Sequence, residues 1–389
     1  MKYEKEASYT PSMNRTVSWN IVLLFCILIF GFSAATILKP QEERSEAENR
    51  PLAQRPAFSW DALFSGQFAK DYEDYLSDQF IGRDRWITLR TGFERATGRQ
   101  DISGVYFARD HYMIESHEGI FTADQAKKNI GILAGFAQKM SQTCDKDHFT
   151  VMIVPNAVDI LRDKLPAFAE PYDEEDYIGQ VKDALPEGVF FDTTAVLRPH
   201  KDEEIYYRTD HHWKTLAAFY VYNEWAAAKG LSAGEFTPKT VTDRFEGTIS
   251  SRLGISGKAD SIQRYDPAET EDYYLTYNQS SDVRNSVYDD SYLQTKDMYS
   301  YFYGGNFGLI ESTMPDSRTG RKLLIIKDSY AHCFAPFTYG NFDEVDLLDL
   351  RYYNRSLSDL MAQKGYTDVL FLQNAAGFAE ETSIVKLGS

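Results

Sequence analysis

From Thr16 to Leu38 the chain reads TVSWNIVLLFCILIFGFSAATIL, a run with no charged residue. Its length matches the hydrocarbon core of a bilayer and predicts one transmembrane helix. Residues 1–15 then form a polar lead, and residues 39–56 a charged linker punctuated by Pro40, Pro51 and Pro56. Lys2, Lys5 and Arg15 favour a cytoplasmic N-terminus. The expectation is a single-pass protein of the cell membrane with its main domain outside the cytoplasm. Small residues at 33–35 (SAA) leave a cleavable signal open, but the long lead and the apolar reach to Leu38 favour a retained anchor.

Beyond the linker, SWDALFSGQFAKDYEDYLSDQFIGRDRWITLRTGFERATG carries apolar positions at helical spacing (Leu63, Phe68, Tyr72, Leu76). GVYFARDHYMIES predicts a hairpin, and ADQAKKNIGILAGFAQKMSQT an amphipathic helix. HFTVMIVP, GVFFDTT, KLLIIKDS and DVLFLQN are short, mostly apolar runs that predict four buried strands. Helical stretches lie between them, among them TLAAFYVYNEWAAAKG with Gly230 placed to end it. This alternation predicts an α/β domain with helical crossovers over residues 57–380. The texture changes around 260–305, which is dense in Tyr, Asp, Asn and Ser. Two readings fit this insertion. Exposed tyrosines could stack on sugar rings, or a twisted hairpin region could pair its aromatics across strands; the second is favoured.

The net charge of -17 argues against nucleic acid as a partner, since phosphates reward clustered Lys and Arg. It also suits an anionic membrane surface poorly. A neutral or weakly charged substrate fits better. Cys26 lies in the apolar run, leaving Cys144 and Cys333. One disulfide between them is conceivable, two buried free thiols are the simpler reading, and no CxxC motif occurs.

The candidate chemistry lies in two places. KLLIIKDSYAHCFAPF runs a strand into Asp328-Ser329 and then a predicted helix. A serine there sits at the carboxyl edge of the sheet, where open α/β folds place their sites, although Asp-Ser is also an ordinary helix cap. YYRTDHHWKTLAAFY supplies Asp210, His211, His212 and Trp213. On an extended segment Asp210 and His212 share a side, so the carboxylate could orient the ring and the ring could activate Ser329. His211 would point the other way, and Trp213 could wall the site or pack beneath the ring. The alternative for Asp210 is a cap on the following helix. A metal site is disfavoured, because no HExxH and no third ligand at recognisable spacing occurs.

With its N-terminal anchor, ENRPL, YLSDQFIGRDRW, GVYFARDHYMIES, YYRTDHHW and IIKDSYAHCFAPF, the chain resembles the DHHW protein family. That family is related to the alginate O-acetyltransferase-like proteins of the SGNH-hydrolase superfamily. The resemblance spans most of residues 49–376. It implies an α/β, flavodoxin-like three-layer SGNH fold with permuted motif order, the Asp/His block preceding the serine. It also implies Ser329 as nucleophile, His212 as base and Asp210 as its orienter. Asn374, at the end of the last strand, becomes a candidate oxyanion donor or a loop cap; Tyr330 and Trp213 become candidate oxyanion or substrate residues. The implied function is O-acetylation of a secreted or cell-surface polysaccharide, with a multispanning membrane O-acyltransferase as acetyl-donating partner and no cofactor or metal. A carbohydrate acetylesterase with the same triad, or a non-catalytic assembly protein, remains open. The chain departs from the better-known relatives in lacking an obvious oxyanion glycine block and a C-terminal carbohydrate-binding module.

Overall fold

The structure, a computed structural model, describes residues 11–45, 50–143, 148–171, 173–269, 272–316 and 319–388. Cys144 lies outside the described residues, while Cys333 is a buried free thiol. The chain divides into two compact units, residues 1–90 and 91–389.

In the first unit the apolar run lies in a helix, Pro11–Leu38. Its segment Arg15–Leu38 is long and apolar enough to cross a membrane; its most apolar 18-residue window has a mean hydropathy of 2.8, and only 6% of that window is buried. The next helical stretch is cut into Trp60–Phe64, Gln67–Gln79 and Arg83–Ala96, the division between units falling inside the last. Gly66 (φ 80) and Gly82 (φ 67) make the two cuts, adopting a left-handed conformation that side chains disfavour. Arg50 forks onto Asp78 at 2.6 and 2.8 Å. The buried Gln79 amide bonds backbone of Glu42 and Ala53. Arg50 and Asp78, one from each of two sequence motifs, therefore meet in one interaction.

The second unit is built on a seven-stranded sheet. Its strands, numbered along the chain, are β1 (Phe149–Val154), β2 (Tyr274–Tyr277), β3 (Val283–Arg284), β4 (Leu309–Thr313), β5 (Lys322–Lys327), β6 (Glu344–Leu348) and β7 (Asp368–Asn374). They lie in the order β3-β2-β4-β6-β5-β7-β1. β6, β5, β7 and β1 are mutually parallel, and β4, β2 and β3 extend the sheet antiparallel. The parallel strands are buried almost throughout, as near-continuous apolar runs require when both faces are covered. One face packs helices Asp124–Thr143, Glu174–Ala184, Leu357–Lys364 and Ala375–Glu380. The other packs helix Thr215–Ala228 and the turns that follow β5. The result is the three-layer α/β fold the resemblance implies. Gly230, at φ 63, follows the end of Thr215–Ala228 as predicted.

Three expectations need correction or extension. GVFFDTT is not a strand: only Val151 and Phe190 form a parallel bridge. Thr193 Oγ1 then donates to the Ile153 carbonyl, and Asp192 caps helix Thr193–Leu197, turning the chain off the sheet edge. The predicted hairpin gains a third strand, Asp101–Ile102, beside Val105–Phe107 and Met113–Glu115. In the tyrosine-rich segment, Asp260–Pro267 pairs with Phe236–Phe245 as a ribbon, and the next two strands are the sheet edge β2–β3. Tyr265, Tyr277, Tyr299, Tyr301 and Tyr303 are buried, and Tyr288 stacks on Tyr301 at 5.2 Å. These rings are core, so they do not form an exposed sugar-stacking wall.

Candidate active site

The parallel strands end on a row of polar residues: Asn156 just past β1, Asp328-Ser329 after β5, Asn374 closing β7. Asp328 caps the 3₁₀ turn Ser329–Cys333 and accepts from the Tyr330 N–H at 2.8 Å. Its other oxygen accepts from the backbone and side-chain nitrogens of Asn374, at 2.7 and 2.6 Å. Held from both sides, the turn leaves Ser329 partly exposed at the first helical position.

The imidazole comes from a loop closed by the antiparallel bridge Tyr206↔Trp213. Residues 208–212 are bent, not extended as expected. Asp210 still reaches its histidine: Oδ1 lies 2.5 Å from His212 Nδ1 and accepts the His212 N–H at 3.0 Å. Nε2 of His212 lies 2.7 Å from Ser329 Oγ. Asp210 does not cap the helix that follows it. Its second oxygen accepts from Thr248 N and Oγ1, both at 2.9 Å, at the start of helix Thr248–Leu253. A Cβ on Gly247 would come within 2.2 Å of Asp210, so only glycine admits the carboxylate there.

Because of the bend, His211 does not face away. Its ring centroid is 4.0 Å from that of His212, and its Nδ1 pairs with Thr248 Oγ1 at 3.0 Å. Trp213 and Tyr330 are fully buried and join the two loops. Trp213 Nε1 donates to the Tyr330 carbonyl at 2.9 Å, and Tyr330 Oη donates to the His211 carbonyl at 2.5 Å. Both are placed as framework, away from any open surface. Asn374 is likewise engaged as a cap: its Oδ1 accepts from Gly377 N at 2.8 Å and Asn156 Nδ2 at 3.0 Å.

Burial opposes the charge of Asp210, but the His211 and His212 rings and the bonds from His212 and Thr248 outweigh it, holding the carboxyl well below the usual range. Burial, with the neighbouring His211 charge, pushes His212 down to about 4 against the pull of Asp210. The ring is therefore neutral near pH 7, the state in which it can accept a proton. Asp210, His211 and His212 each offer a ligand atom within 4.8 Å of the others. Those atoms are already hydrogen-bonded to one another, to Thr248 or to Ser329, an arrangement that suits a proton relay better than an ion.

Two residues escaped the sequence reading. Tyr299 stacks flat on His212, with centroids 3.8 Å apart and planes at 14°, while its hydroxyl donates to the Ser329 carbonyl at 3.1 Å. No spacing distinguishes it among its neighbouring tyrosines. Asn156 bonds Asn374, Tyr330 Oη and Ala376 N; its place just past a buried strand was the available signal. Below the serine, buried Lys327 bonds His332 Nε2 at 2.7 Å and Asp349 at 3.2 Å, and Asp349 also holds Arg351.

The model of the DHHW protein family matches residues 121–348. A DHHW family protein from Eubacterium siraeum is 25% identical with a TM-score of 0.58, over 74% of this chain and 96% of that one. Bacillus cereus PatB1 is similar in fold at 16% identity and a TM-score of 0.58, over 70% and 97%. Its form with a sulfonyl adduct gives 18% and 0.58, over 72% and 99%. No curated protein matches the chain.

Proposed function

The chain belongs to the DHHW protein family, and on that premise we propose that it is a membrane-anchored, extracytoplasmic O-acetyltransferase acting on a secreted or cell-surface polysaccharide. The observation that carries this reading is the continuous relay Asp210–His212–Ser329, with links of 2.5 and 2.7 Å. Ser329 Oγ attacks the acetyl carbonyl as its proton passes to His212 Nε2, and Asp210 steadies the resulting imidazolium through Nδ1–H. The Ser329 N–H opens its 3₁₀ turn and so lacks an acceptor within it; we assign it as one oxyanion donor. The protonated His212 then releases the leaving group. In the second half a sugar hydroxyl gives its proton to His212, attacks the acetyl-serine and leaves as the ester, restoring Ser329. Acetyl groups would reach the site from a multispanning membrane O-acyltransferase.

Hydrolysis uses the same acyl-enzyme with water as acceptor. One observation favours this second reading: of the nine tyrosines between 260 and 305, five are buried and only Tyr274 is exposed, which leaves little of a sugar-stacking surface there. The test is to give the purified protein a small acetyl donor and a panel of neutral oligosaccharides. Transfer predicts acetylated sugar by mass spectrometry in excess of free acetate. Acetate from every acceptor mixture, together with stripping of an acetylated polymer, would establish the esterase instead.

A further inference from the structure

The helices that follow the anchor expose an unusual set of large apolar side chains. Trp60 is 65% exposed, Phe64 81%, Trp86 46% and Leu89 63%. Phe58 and Trp60 meet edge to face at 5.3 Å, and Trp60 stacks on Phe64 at 6.0 Å, so part of the set is one aromatic cluster. A soluble surface rarely carries such a patch without a partner.

The anchor helix says what that partner is. Phe80 and Trp86 pack on Phe32 of the anchor at 6.0 and 5.7 Å, and the Ile81 N–H donates to Thr36 Oγ1 at 3.3 Å. Arg15–Leu38 is 24 residues long, about 36 Å at helical rise, enough to span the hydrocarbon core with little to spare. Phe32 lies six residues before Leu38, about 9 Å below the helix end. Trp86 is thereby held at the depth where headgroups meet acyl chains, the level at which Trp is enriched in membrane proteins. On its own helix, Trp86 and Leu89 are three apart and share a face flanked by exposed Arg85 and Arg90, the pattern of an interfacial amphipathic helix with cations at phosphate level.

We infer that Trp60, Phe64, Trp86 and Leu89 form a collar seated in the lipid headgroup–acyl boundary of the leaflet facing the catalytic domain. The collar tethers the chain to the bilayer surface beyond its single span. This rests on the anchor reading, and Trp19, near the other end of the anchor helix, reports on that reading separately.

The experiment places the full-length chain in nanodiscs of phosphatidylcholine, with or without brominated acyl chains, and follows tryptophan emission. Trp213 and Trp225 are buried in the protein and serve as the unquenched background. The collar predicts that Trp60→Phe and Trp86→Phe each remove a share of the lipid-quenched emission comparable to that removed by Trp19→Phe. It further predicts that acrylamide reaches neither residue readily. If Trp19→Phe alone abolishes lipid quenching, while acrylamide quenches Trp60 and Trp86, the span is inserted but the collar is refuted. That outcome would leave the face to a protein partner. Absence of lipid quenching from Trp19 as well would overturn the anchor and the collar together.

Discussion

His212 is buried, and the lowering of its pKa follows from that burial. Asp210 holds Nδ1, Ser329 waits at Nε2, and Tyr299 covers one ring face. Ser329→Ala is expected to abolish acetyl-ester turnover, with His212→Ala costing a similar factor, about 10⁴ or more because triad members act as a unit. Asp210→Asn should keep the fold and lose much of the rate, the ring being held in the wrong tautomer. With His212 pushed down to about 4, the base is neutral above that pH and protonated below it. The acid limb of kcat/KM should therefore fall near pH 4, well under the usual histidine range. Tyr299→Leu removes the ring that desolvates His212, so it should move this limb to higher pH and slow the reaction by about 10²-fold through misorientation. Tyr299→Phe keeps the stack and should leave the limb in place. A limb unmoved in both variants would show that Tyr299 does not set the histidine's acidity.

At the scale of elements, the serine was legible because β5 is apolar and stops at Asp328, whose carboxylate both caps the turn and anchors β7 through Asn374. The Asp210–His212 pairing was legible for an incomplete reason. The residues do meet, but on a bend closed by Tyr206↔Trp213; strand alternation therefore misplaced His211. β6 escaped notice because EVDLL carries two acids, and Asp346 is buried only by virtue of Ser312 N, Tyr366 Oη and Lys364. Such partners come from distant segments that local pattern does not show. The same holds for Glu174, at the start of helix Glu174–Ala184. Its Oε1 accepts from Asn156 N while Oε2 is buried without a partner among the described residues. Burial pushes this carboxyl up to about 8. The folded state then holds a proton that the unfolded chain has released, so stability is highest below the ordinary glutamate range and declines as pH rises to about 8. Glu174→Gln should melt higher than the parent at pH 9, with a smaller advantage at pH 5; an equal difference at both would refute the buried-acid assignment.

For the whole molecule, the anchor and the net charge of -17 act together. On the proposed topology, a single apolar span would hold a chain of net negative charge at a surface that charge does not favour, so apolar contacts would do most of the holding. Protease added to intact cells should digest the catalytic domain and spare the N-terminal lead; complete protection would invert the topology. The α/β class followed from the apolar runs, while the three-layer fold and the family followed from the motifs and the resemblance they carry. The choice of acceptor depends on surfaces the sequence does not mark.

Whether Ser329 carries the acetyl group can be read from the enzyme itself. The protein is mixed with an activated acetyl ester, quenched in acid within the first turnovers and cut with trypsin, which releases residues 328–351 as one peptide. A single added acetyl group at Ser329 is expected by mass spectrometry, absent from Ser329→Ala and strongly diminished in His212→Ala. Continued turnover with that peptide unmodified, or acetyl found on another side chain and retained in Ser329→Ala, would contradict it.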